Sequence, residues 1–105
     1  VIDYENVIAL IGHTHCPMIY EKQIGAVYRI DAQDMNLTMG RKYFINVGSV
    51  GQPRDGDPRS AYVIYETATR KVRFRRIEYD IASAQARIRE AGLPDRLADR
   101  LALGQ

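Results

Sequence analysis

The sequence predicts a mixed chain of the α/β class, closer to α+β, built mainly from strands and closed by two C-terminal helices. Three observations carry this. Apolar runs bounded by glycine, proline or polar residues recur from Val7 to Tyr79, as short buried strands require. From Ser60 to Glu66 the side chains alternate with the period of two that separates the faces of a sheet. Beyond Asp80 the apolar spacing changes to that of an amphipathic helix.

Val1 to Asn6 is polar and reads as a loop or the end of a preceding element. Val7 to Ile11 is the first strand, and Gly12 lets the backbone turn sharply out of it. Pro17 cannot donate to a ladder and suits the approach to a second strand, Met18 to Lys22. A turn over Gln23 to Gly25 leads to a third strand, Ala26 to Ile30. Asp31 to Lys42 is polar, contains Gly40, and reads as a long loop or ragged hairpin tip, a place for a lid.

Tyr43 to Val47 is the next strand and runs into a turn-rich loop, Gly48 to Arg59. Ser60 to Glu66 puts Ala61, Val63 and Tyr65 on one side and Tyr62 and Ile64 on the other, which fits a strand covered on both faces. Thr67 to Arg70 connects it to a final strand ending at Tyr79. There Val72 and Phe74 fall in one phase and Ile77 and Tyr79 in the other, so a bulge near Arg75-Arg76 is expected. Asp80 is a good N-cap for a helix with the stripe Ile81, Ala84, Ile88 and Ala91, and Gly92 suits its left-handed end. Pro94 opens a second helix, on which Leu97 and Leu101 share a face, and Gly104 ends it.

A length of 105 residues fits one domain or part of one. The composition, 46% hydrophobic and 27% charged, is that of a folded soluble chain. A net charge of +2 is too small to demand a nucleic acid or an anionic membrane as partner. A single cysteine, Cys16, excludes an internal disulfide framework and matches a reducing, cytoplasmic setting. No apolar run approaches the ~20 residues that cross a bilayer. The chain opens at Val1 just before a strand of central character, so a fragment of a longer domain is expected.

His13 and His15 are the only histidines. If the chain stayed extended through them, both imidazoles would face one side and offer two nitrogen ligands to a metal. Two turn residues satisfied by water or backbone would look the same, and a working site needs three or four protein ligands. Asp3, Cys16, Glu21, Asp55 and Asp57 are the local candidates for the rest, although Cys16 reads first as a small apolar filler.

In the following loop, Gly48 offers a bare backbone, Ser49 a hydroxyl, and Arg54 and Arg59 forked donors for phosphate. A solvated surface turn has the same composition. Lys71, Arg73, Arg75 and Arg76, with Phe74 and Tyr79 beside them, form a basic strand that single-stranded nucleic acid could use; protection of a sheet edge accounts for it equally well. No nucleophile, base and orienter can be assembled, so no side chain is assigned a catalytic role.

Gly12-His13-Thr14-His15, followed by Ile45-Asn46-Val47-Gly48-Ser49-Val50-Gly51-Gln52-Pro53 and the loop to Arg59, resembles the calcineurin-like metallophosphoesterases, in their bacterial phosphodiesterase and phosphatase branch. The likeness runs from about Val7 to the C-terminal helix and corresponds to the C-terminal half of that catalytic domain. It implies that residues 1–105 are the C-terminal portion of a four-layer αββα sandwich. It implies two divalent transition metals, drawn from manganese, iron, zinc or nickel, with His13 on one and His15 on the other. It further implies hydrolysis of a phosphomonoester or phosphodiester by a hydroxide bridging the two metals.

On this resemblance Gly48 and Ser49 would border the centre; contact of Arg54 and Arg59 with phosphate is read from the loop itself. The family's upstream ligand motifs, Asp-x-His, Gly-Asp-x-x-Asp, Gly-Asn-His and a single histidine, are absent, so the fragment alone is expected to be inactive and the intact parent active. Val47 stands where many members carry proline. The implied partners are a phosphate ester and the N-terminal half of the domain, with no membrane and with nucleic acid only as substrate. The alternative is a small β-rich nucleic-acid-binding module that uses the Lys71 to Arg76 strand.

Overall fold

A computed structural model describes residues 8–105. The expected loop over Val1 to Asn6 and the start of the first strand at Val7 lie outside the described residues. The order is β1 (Ile8–Ile11), β2 (Met18–Gln23), β3 (Ala26–Asp31), β4 (Met35–Asn36), β5 (Lys42–Asn46), β6 (Ser60–Glu66), β7 (Lys71–Ile77), α1 (Ile81–Glu90) and α2 (Asp95–Leu103). The predicted class holds: mostly strands, with two helices at the end.

The strands form two sheets, one in the order β1-β5-β2-β3 and one in the order β4-β7-β6. β1 and β5 are parallel, with Ile11 opposite Asn46, while β2 runs antiparallel to both β5 and β3. Between the sheets lies one apolar core. Ile19, Tyr43 and Ile45 from the first sheet meet Val72 and Leu37, with Val63, Tyr65 and Phe74 packed against them. The inward set of β6 is the predicted one, Ala61, Val63 and Tyr65. Its other face is only partly covered by described residues: Tyr62 is half-buried and Ile64 exposed.

Three local expectations give way. The segment Asp31 to Lys42 is not all loop: Met35 and Asn36 pair with β7, and Leu37 is buried. Two residues cannot announce themselves by periodicity; long-range pairing makes them a strand. No bulge interrupts β7, because Ser60↔Ile77 through Glu66↔Lys71 run in unbroken register. Ile77 therefore stays in phase with Arg75 and is left exposed. Pro94 is the N-cap of α2 rather than its first helical residue.

The helix ends follow their chemistry. Asp80 Oδ1 accepts from the Ser83 amide at 3.0 Å, and Gly92 and Gly104 take the left-handed conformation after α1 and α2. Among the described residues, the helices pack on each other rather than against a strand. Gly104 fixes the pair to the body. Its carbonyl accepts from the Gly56 amide at 3.0 Å, and a Cβ there would stand 2.7 Å from the Gly56 backbone.

Candidate metal-ligand loop

Because β1 and β5 are parallel neighbours, Gly12–His15 and Gly48–Pro53 leave the sheet side by side at the carboxyl ends of two strands. That edge is where open sheets with parallel strands place their ligands. Val47 N donates to Ile11 O at 2.8 Å, which carries the pairing into both loops.

The histidine segment is not extended, so the condition under which both imidazoles would face one side is not met. His13 (φ 84°) and His15 (φ 61°) both occupy the left-handed region, and Thr14 N donates back to Gly12 O at 3.2 Å. Strict alternation therefore does not apply to the two imidazoles. The pair is displayed by a strained turn, a conformation that non-glycine residues adopt mainly where the surroundings enforce it. His13 is exposed and His15 half-buried.

The second loop grips His15 at two points. Its Nδ1 lies 2.8 Å from Gln52 O, and its own carbonyl accepts from Arg54 N at 3.1 Å. A carbonyl can only accept, so Nδ1 is the donor, and in the tautomer with Nδ1–H it is Nε2 that is free to ligate a metal. Gln52 is held in turn by Ser49 Oγ, which accepts from its amide at 2.9 Å. Pro53 is fully buried beneath the turn.

Asn46, at the end of β5, joins the two loops; the sequence marks it as a strand residue within the motif that carries the resemblance, with no role of its own. It is 3% exposed, its Nδ2 donates to Gly12 O at 2.9 Å and Thr14 Oγ1 at 2.7 Å, and its Oδ1 accepts from Gly48 N at 3.0 Å. A polar residue closing the run Tyr43-Phe44-Ile45 was the available signal.

Gly48 thus spends its amide inside the fold, and its bare Cα serves packing. At φ 85° a Cβ would lie 2.8 Å from Pro17 Cγ and 3.0 Å from Ala61 Cβ. Arg54 is exposed on the rim of the loop, with Nη2 donating to Gln52 Oε1 at 2.6 Å. Arg59 is directed elsewhere. It bonds both oxygens of Asp57 through Nε and donates from Nη2 to Asp57 Oδ2 at 2.8 Å. That guanidinium holds the Asp57 carboxyl down at about 2, with the neighbouring Arg76 adding to the effect. Arg76 also pairs with Asp55. Gly48, Ser49 and Arg54 therefore gather beside the histidines, while Arg59 belongs to an ion cluster against β7.

Glu21 sits apart from the histidines. Its register position is opposite Tyr43, three residues along β5 from Asn46, and it accepts from Tyr43 Oη at 2.7 Å and Arg41 Nη1 at 2.9 Å. Burial pushes its pKa up, but hydrogen bonds from Gln23, Tyr43 and Arg41 outweigh this and leave it lowered. Cys16 is half-buried. Among the described residues, no group of three or more His, Cys, Asp or Glu could hold a metal ion. The donor chemistry of the loop fits a metal as part of a ligand set.

The chain is similar in sequence and fold to known proteins. A crystal structure of a metallophosphoesterase from Sphaerobacter thermophilus superposes with a TM-score of 0.85 and 42% identity, over 97% of this chain and 44% of that one. An uncharacterized protein of Methanocaldococcus jannaschii is 36% identical over 105 residues, all of this chain and 42% of that protein. The chain thus spans under half the length of these relatives. No family model matches it.

Proposed function

As a chain that is metallophosphoesterase-like in sequence and fold, it supplies, we infer, one side of a metal-dependent phosphoesterase centre. The observation that carries this is the bond from His15 Nδ1 to Gln52 O, which leaves Nε2 as the nitrogen free to ligate at the carboxyl edge of two parallel strands. We read residues 1–105 as the C-terminal portion of a single metallophosphoesterase domain in a cytoplasmic hydrolase. The remaining ligands would come from the part of the relatives that this chain does not match. Among the described residues, no helix is long and apolar enough to cross a membrane.

His13 and His15 would each ligate one divalent cation of manganese, iron, zinc or nickel type, all of which accept imidazole. Two such cations supply Lewis acidity and an acidified water for hydrolysis of a phosphomonoester or phosphodiester. The chain's own residues bind and orient. Gly48 and Ser49 shape the floor beside the histidines, and Arg54 stands on the rim, where its guanidinium can meet a phosphate oxygen. Arg59 would have to leave Asp57 to do the same. No observation favours the nucleic-acid alternative, since Arg73, Arg75 and Arg76 pair with Glu66, Asp34 and Asp55.

The test uses the full-length protein loaded with Mn²⁺ and assayed on aryl phosphomonoesters and phosphodiesters. Hydrolysis is expected, with His13→Ala or His15→Ala each lowering kcat by at least about 100-fold while circular dichroism is unchanged. Normal turnover by either variant would overturn the ligand assignment.

A further inference from the structure

Among the described residues, Asn46 is the one buried side chain seen to bond to both loops of the candidate site, and the two ends of its amide do different work. The donor end reaches the histidine turn, bonding Gly12 O and Thr14 Oγ1, the residues on either side of His13. The acceptor end takes the Gly48 amide and so sets the start of the loop whose Gln52 carbonyl holds His15. These partners fix the orientation of the amide, because Gly12 O must face nitrogen and Gly48 N–H must face oxygen.

We propose that Asn46 is a positioning residue for the histidine pair: by joining the turn before and after His13 to the loop that orients the His15 ring, it holds the two imidazoles in ligand geometry. This rests on the metal reading above. It goes beyond that reading because Asn46 is assigned no contact with metal or substrate. Two strained residues in three would otherwise relax, and each bond of Asn46 opposes that relaxation at a named atom. Outer partners of metal-bound histidines act in this way, and their loss costs about 10–100-fold in metal affinity.

The experiment is a Mn²⁺ titration of the full-length protein by calorimetry, with ¹⁵N spectra of the histidine rings recorded without metal. Asn46→Leu removes both donors to the turn and the acceptor for Gly48 without adding a charge beside the histidines. It is expected to weaken Mn²⁺ binding about 10–100-fold and to abolish the ring pattern with Nδ1 protonated and Nε2 bare. Thr14 is exposed, so its variants test the idea without threatening the core. Thr14→Val should weaken the metal about 10-fold at an unchanged Tm, and Thr14→Ser should restore it.

If Asn46 variants fold, lose thermal stability, but keep wild-type Mn²⁺ affinity and ring spectra, the residue is merely structural and the proposal falls. If Asn46 variants fail to fold, the Thr14→Val and Thr14→Ser pair decides on its own. If the wild-type protein binds no divalent cation, the metal reading fails separately, and positioning is judged by the spectra alone. Retention of the Nε2-bare pattern in Asn46→Leu would then overturn it, and loss would sustain it.

Discussion

Both histidines of the Gly-His-Thr-His segment stand at positive φ, where a side chain costs about 1–3 kcal/mol relative to relaxed backbone. The surroundings offset that cost through the Asn46 amide, the Gln52 carbonyl and the Arg54 amide. Strain at His13 can be separated from its ligand chemistry, because alanine and glycine both delete the imidazole and only glycine tolerates the conformation. His13→Gly should therefore be more stable than His13→Ala by about 1 kcal/mol in chemical denaturation, with both variants inactive in the full-length protein. Equal stabilities would mean that the turn relaxes at no cost and is not held as described. The histidines and their glycine were legible in the sequence as chemistry, since residue type and spacing survive without coordinates. Their conformation was not. It depends on bonds between positions 46 and 12, 46 and 14, and 52 and 15, partners separated by more than thirty residues.

At the level of elements, the loop after β5 and the strand β7 are joined by charge. Asp57 is bound by Arg59 and approached by Arg76, and its carboxyl sits at about 2 in the fold against an ordinary 3.8. A carboxyl whose folded pKa is depressed stabilises above its unfolded value and loses that contribution as pH falls toward the folded one. The stability gap between the protein and Asp57→Asn should be constant above about pH 5 and close between about pH 4 and pH 2. A gap that persists unchanged at pH 2 would show that the pairing does not stabilise the fold. The segments easiest to read were those whose signals are local: apolar runs for β1, β2, β5 and β6, an N-cap at Asp80, glycine at both helix ends. The bulge expected near Arg75-Arg76 came from treating Ile77 as a core residue. The ladder to β6 instead keeps strict register and leaves Ile77 at the surface, while Arg76, in phase with Val72 and Phe74, turns toward Asp55 and Asp57.

For the molecule as a whole, the one apolar core seen among the described residues lies between two sheets and leaves several of their faces uncovered by other described residues. Across the outer side of the first sheet runs a groove of about 440 Å³ lined by Ile11, Met18, Tyr20 and Phe44, with Thr14 and Asn46 at one end. Leu10, Ile64 and Leu103 are exposed beyond it, and no residue of α1 is buried. Soluble monomers rarely display apolar surface on this scale without a partner for it. A four-layer arrangement would cover both sheets, and two helices that pack on each other cannot do so. The 105-residue chain expressed by itself should therefore associate. In light scattering coupled to size exclusion it should run well above its 11.9 kDa, and its interior should be readily cut by protease. The full-length protein, in which the same faces would meet the rest of the domain, should lose both behaviours. A monodisperse, protease-resistant species at 11.9 kDa would show instead that these faces are stable in water, and would remove the physical reason for assigning them to the interior of a larger domain.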